Sequence, residues 1–202
     1  MRTLFFLQLV LLLSACSEST TETAAKAPEK PAEPVTGRQA FQSTYPSARM
    51  WAADCQPLQI RSLLLDQIKS DAGKAGAWEV TYVSAQKGEV RSYTWSAVEA
   101  EGNIHQGVFG GPQDPWNGSG QQMPFVPAAL KIDTPAALES ATANAAAYLK
   151  KHADKPPVNF ILESSSRFPN PAWRVFWGAT PASAEFTVFV DATTGAVLNV
   201  VR

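Results

Sequence analysis

Three runs near the end of the chain decide the fold: Ala172-Trp173-Arg174-Val175-Phe176-Trp177, Glu185-Phe186-Thr187-Val188-Phe189-Val190 and Ala196-Val197-Leu198-Asn199-Val200-Val201. All are rich in β-branched and aromatic residues, which predicts two strands and, after Asp191-Ala192-Thr193-Thr194-Gly195, a third. In that turn Asp191 offers a side-chain acceptor and Gly195 takes positive φ at no steric cost. A weaker copy of the block starts about 95 residues earlier with Ala77-Trp78-Glu79-Val80-Thr81-Tyr82. Trp78, Val80 and Tyr82 alternate on one strand. Tyr93, Trp95 and Ala97 alternate on the next, and Glu101-Gly102-Asn103 turns the chain into Ile104–Val108. Aligning Gly102 with Gly195 sets Tyr93, Trp95 and Ala97 opposite Phe186, Val188 and Val190 with the same parity. A one-residue slip would turn that apolar set to water, so matched parity argues for a true repeat.

Each block is preceded by a strand and a helix. Asp133-Thr134-Pro135 opens the second helix, with Thr134 as the expected cap and Pro135 at the first helical position. Leu138, Ala141, Ala145, Tyr148, Leu149 and His152 share one face, and Pro156-Pro157 stops it. Val158, Phe160 and Leu162 then alternate as a strand. In the first copy residues 37–54 read as helix in two pieces around Pro46, with Ser43 or Thr44 capping the second. Leu58, Ile60 and Leu63-Leu64-Leu65 suggest a strand, the last three equally a short helical turn. Phe41 aligns with Leu138, Ala48 with Ala145, Trp51 with Tyr148 and Cys55 with His152.

The predicted fold is therefore α+β: two helix-plus-antiparallel-sheet repeats, at 38–109 and 134–202, joined by a connection at 110–133. Whether the two sheets are continuous is left open. The connection holds Gly110-Gly111-Pro112 and Pro115-Trp116-Asn117-Gly118, so it reads as a long loop. Trp116, Met123 and Phe125 are its apolar content. They either cover a seam between the repeats or make a binding loop, in which Trp116 and Phe125 are the candidate contact residues.

At the other end, Arg2 and the apolar run Leu4–Leu13 form an export signal too short to span a bilayer. Leu13-Ser14-Ala15-Cys16 closes it and resembles the lipobox of bacterial lipoproteins. That resemblance implies cleavage after residue 15, lipidation of Cys16 and, with Ser17 following, an outer-membrane anchor facing the periplasm. Two or three acyl chains would hold durably, since each buried methylene contributes about 0.8 kcal/mol. Residues 16–37 carry Ser, Thr, Glu, Ala, Lys and Pro with few large apolar side chains, the composition of a disordered tether.

The final block, with Trp-x-Val in a strand and Phe186-Thr187-Val188-Phe189-Val190-Asp191-Ala192-Thr193-Thr194-Gly195-Ala196-Val197-Leu198, resembles a PepSY-type domain. The resemblance covers residues 134–202 best and implies a small, often tandem, envelope module that restrains peptidases or binds envelope components. It implies no catalytic residue and no cofactor.

The remaining residues offer little chemistry. With 17 Lys and Arg against 18 Asp and Glu, no basic stripe stands ready for nucleic acid. His105, His152 and Cys55 have no metal-ligand spacing, so no metal site is expected. His152 reads as a helix-end histidine and His105 as solvated on an edge. Cys55 reads as a small buried apolar residue. No nucleophile elbow or phosphate-cradling loop occurs. The expectation is a non-enzymatic, lipid-anchored binding or inhibitory module with an envelope protein or peptidase as partner. The alternatives are a structural assembly lipoprotein and a periplasmic hydrolase with a cystatin-like curved sheet.

Overall fold

The computed structural model describes residues 32–152, 154 and 156–202. The lipobox at 13–16 and the tether up to residue 31 lie outside them. Residues Ala32–Arg202 pack as one compact unit.

The first half runs β1 (Val35–Thr36), α1 (Gly37–Trp51), β2 (Gln56–Leu63), β3 (Lys74–Ala75), β4 (Ala77–Ser84), β5 (Glu89–Ser96) and β6 (Gly107–Pro115). Next come β7 (Gln122–Met123) and a 3-10 turn at Pro127–Ala129. The second half is α2 (Thr134–Lys151), β8 (Val158–Ser165), β9 (Ala172–Trp177), β10 (Phe186–Asp191) and β11 (Val197–Val201). The protein is α+β, a helix followed by four antiparallel strands, twice. The sheets are continuous, in the order β11-β10-β9-β8-β2-β4-β5-β6, with β7 paired to β8 and a separate β1-β3 pair. The joint is the antiparallel β2–β8 pair, centred on Ile60 opposite Leu162. Joining two copies by their first strands, antiparallel, relates the halves by an approximate two-fold axis through the sheet.

Strand parity places the core. Trp78, Val80, Tyr82 and Tyr93 from one half, and Phe160, Leu162, Trp173, Val175, Val188 and Val190 from the other, are buried in one cluster with the small residues of both helices. Each half has the same anchor: the Trp78 indole donates to the Val35 carbonyl at 3.0 Å, and the Trp173 indole to the Ile132 carbonyl at 2.8 Å. Both acceptors immediately precede a helix cap. The turn before β11 forms as its residues predict. Asp191 Oδ1 accepts from the N–H groups of Thr193 and Thr194 at 2.8 Å each, and Gly195 has φ of +80°.

The cap of α2 is Asp133, one residue before the expected Thr134. Asp133 Oδ1 accepts from Thr134 N–H at 2.7 Å and also from Arg38 N–H at 3.0 Å, while Thr134 Oγ1 accepts from Gly37 N–H at 3.1 Å. The caps of α2 thus satisfy two unpaired N–H groups of α1, so the helices meet end to end. Thr134 is freed from capping because it is fully buried at this junction. The first helix is also continuous where two pieces are expected. Pro46 sits inside it, with Thr36 as cap in a reciprocal pair with Gln39. Pro46 and Gln42, one turn before it, are both exposed, so the carbonyl left without a donor faces water.

Residues 110–115, expected as loop, are strand: β6 pairs with β5 from Ser96 opposite Gly107 to Glu89 opposite Pro115. The glycines serve close approach there, since a Cβ on Gly110 would lie 3.0 Å from both the Tyr93 ring and the Arg91 guanidinium. The repeat register also differs by two residues. Trp78 pairs Trp95 as Trp173 pairs Val190, making Trp95 the counterpart of Val190 and not of Val188. A two-residue shift keeps every face, so the inferred core is unaffected.

Candidate functional site

Both helices pack on the Trp78 and Trp173 face of the sheet. Period-two alternation sends the intervening residues to the other face, and strand register lines them up in one row. From edge to edge it reads Phe109, Thr94, Glu79, Arg61, Ile161, Arg174, Phe189 and Asn199. No helix of the described residues covers this face. Charged, hydroxyl and aromatic side chains occupy it together, and it holds two recesses, one in each half.

The recess of the first half, about 480 Å³, is bordered by Arg61, Glu79, Arg91, Thr94, Phe109 and Asp114. Arg61 Nε and Glu79 Oε1 pair at 2.8 Å, the neighbouring Thr81 and Ser92 hydroxyls bond at 2.8 Å, and Arg91 Nε donates to the Gly111 carbonyl at 2.9 Å. Phe109 is 44% exposed at its rim.

The recess of the second half, about 370 Å³, lies among Gln122, Glu163, Ser165, Arg167, Phe168, Arg174 and Phe189. Glu163 Oε2 accepts from the side-chain amides of Gln59 at 2.9 Å and Gln122 at 2.6 Å, so two other strands fix the carboxylate. The Arg174 guanidinium lies 5.6 Å from the Phe176 ring and 5.8 Å from that of Phe189, and donates to the Pro181 carbonyl at 3.0 Å. Burial lowers its pKa from the ordinary value, and the nearby Glu163 charge opposes that shift. Arg167 lies 5.1 Å from Phe168 and 5.9 Å from Phe189.

The residues singled out from sequence are placed as follows. Cys16 lies outside the described residues. Trp116 is half-buried at the end of β6, its N–H bonded to the Gly88 carbonyl at 2.8 Å. Phe125 is 5% exposed, a member of the core, and its N–H donates to the Pro57 carbonyl at 2.9 Å. Phe125 therefore presents no surface beside Trp116. His152 ends α2, stacked on Tyr148 at 4.1 Å with Nδ1 3.5 Å from Glu185, and His105 Nδ1 lies 2.6 Å from Glu99. Cys55 is a buried free thiol whose pKa burial raises. Among the described residues no group of three or more His, Cys, Asp and Glu could hold a metal ion. No helix among them is long and apolar enough to cross a membrane.

Sequence reasoning missed Arg61, Glu79, Phe109, Glu163, Arg167 and Arg174. A signal was present for two of them. Glu79 and Arg174 each follow the anchoring tryptophan of their repeat, so both must leave the core face.

No protein-family model and no curated protein matches the chain. Among solved structures, it is similar to the crystal structure of a "putative lipoprotein" from Clostridium difficile 630. The TM-score is 0.46 and the identity 13%, over 86% of this chain and 98% of that one. Likeness at that level carries no statement about activity.

Proposed function

We propose that this chain is a bacterial envelope lipoprotein, acylated at Cys16 and held by residues 16–37, whose folded part is a non-catalytic module that binds an envelope protein. The anchor places it on the outer membrane facing the periplasm. The observation that carries the binding role is the uncovered sheet face of the first half. There exposed Phe109 stands beside a recess edged by Arg61, Glu79 and Asp114, a mix of aromatic area and directional polar groups that suits a protein partner. Trp116, at the far end of β6, extends that contact surface. Restraint of a peptidase is the narrower form of the reading, supported by the PepSY resemblance of residues 134–202.

Two measurements test the proposal. Labelling cells with a palmitate analogue should mark the chain, and Cys16→Ser should lose both label and membrane fractionation; unchanged fractionation would remove the anchor. A photo-crosslinking residue at Phe109 should capture a partner of defined mass, while one at Met50, 90% exposed on α1, should not. Equal capture from both positions would remove the sheet face from consideration.

A further inference from the structure

The recess of the second half carries charges that have not satisfied one another. Glu163 commits Oε2 to two amides, whereas Oε1 makes no hydrogen bond or ion pair among the described residues. Arg174 is on the same face one diagonal step away, since Ile161 pairs with Arg174 and Glu163 with Ala172, yet the two form no ion pair. Among the described residues Arg174 Nε is buried without a partner, while its guanidinium donates only to the Pro181 carbonyl. Arg167 has ring contacts only, with no carboxylate against it among the described residues. One carboxylate and two guanidiniums therefore border a single cavity of about 370 Å³, with the Phe168 and Phe189 rings, tilted to each other with centroids 5.1 Å apart, as its apolar wall.

We infer that this recess is a binding site for a small acidic amino acid, free or as the equivalent group of a peptide. Its ammonium would meet Glu163 Oε1 and its two carboxylates would meet Arg167 and Arg174. The argument is one of matching. A guanidinium offers paired donors to a carboxylate, a carboxylate accepts from an ammonium, and a ligand with one positive and two negative groups neutralises the three charges of the wall. The volume lies within the range of ordinary small-molecule sites. The rings that hold both guanidiniums limit their rotamers, so little freedom is lost when the ligand arrives. The approximate two-fold axis does not repeat this site. The counterpart of Arg174 is Glu79, which is already paired with Arg61, so the first half has no guanidinium at that position. This inference rests on the proposed binding face only in using its other half.

The test is calorimetric titration of the purified chain with glutamate of each hand, glutarate, which lacks the ammonium, and 4-aminobutyrate, which lacks one carboxylate. Saturable one-to-one binding of a glutamate is expected, with each truncated probe weaker by about tenfold or more. Arg167→Ala and Glu163→Gln should each weaken glutamate by a similar factor with unchanged circular dichroism. Arg167 is exposed, and the glutamine retains an oxygen for the Gln59 and Gln122 amides. No saturable binding at millimolar glutamate, equal binding of glutarate, or full binding by both variants would overturn the inference. Crosslinking at Phe109 reads the other half separately, so loss of one signal with the other intact shows which proposal has failed.

Discussion

Gly37 shows how much of this core one hydrogen atom can hold. A Cβ there would lie 2.7 Å from the Trp173 ring, 3.1 Å from the Thr134 methyl and 3.3 Å from the Trp78 ring, so both anchoring tryptophans converge on it. Gly37→Ala is expected to destabilise by about 1–3 kcal/mol in urea titration, as overpacking does. A cost near zero would mean the helix junction has room to yield. Tyr82 makes a second prediction, in the alkaline range. It is fully buried, its hydroxyl 2.9 Å from Thr44 Oγ1, and burial raises its pKa well above the ordinary value. The folded state holds the neutral phenol, so the stability is complete below about pH 10 and falls as the pH rises past that unfolded-state value. Tyr82→Phe should cost about 1 kcal/mol at neutral pH through the lost hydrogen bond, and should flatten the alkaline loss. Thermal midpoints measured from neutral to alkaline pH would show whether the slope changes. Neither Gly37 nor Tyr82 stands out in the sequence as special, because contacts with residues distant along the chain create their roles.

Among the elements, alternation was legible where one face of a strand carries the large apolar residues of the core, as in β4, β9 and β10. It failed where backbone closeness replaced side-chain pattern. Gly107–Pro115 has no apolar alternation, and its Gly and Pro residues speak for a turn. Yet β6 forms because Gly110 admits the Tyr93 ring and Gly111 offers its carbonyl to Arg91. The chain that follows β6 separates the two residues expected to bind together. Phe125 belongs to the core, so Phe125→Ala should destabilise by about 3–5 kcal/mol. Trp116→Ala, at a half-buried site, should cost less than half as much and is the substitution that reports on binding. Parallel urea titrations decide this, and equal costs would place Trp116 in the core as well. The starts of α1 and α2 were legible to within a residue, whereas the second start expected at Ser43 or Thr44 does not form, because α1 runs through Pro46. Which of Asp133 and Thr134 caps α2 was not legible, because Thr134 is drawn into a contact with the other helix.

At the scale of the whole molecule, the β2–β8 joint ties two repeats into one unit. The Ser62 hydroxyl spans it, accepting from Phe160 N–H at 2.9 Å and donating to Asn159 Oδ1 at 3.2 Å. A single buried cluster runs beneath both helices. Unfolding should therefore be one transition, with amides of β4 and β9 exchanging at the same global free energy. Two separable transitions would show that the halves are independent. The sequence by itself determined the helix-and-sheet class, the doubled unit, the turn at Asp191–Gly195 and the parity of the core strands, because each depends on residues within a few positions of one another. Only the tertiary structure decided that the sheets are continuous, that the helices share their caps, and that Glu163, Arg167 and Arg174 border one recess. Those features depend on which strand edges meet across the chain, and backbone hydrogen bonds between strands are the same for every sequence.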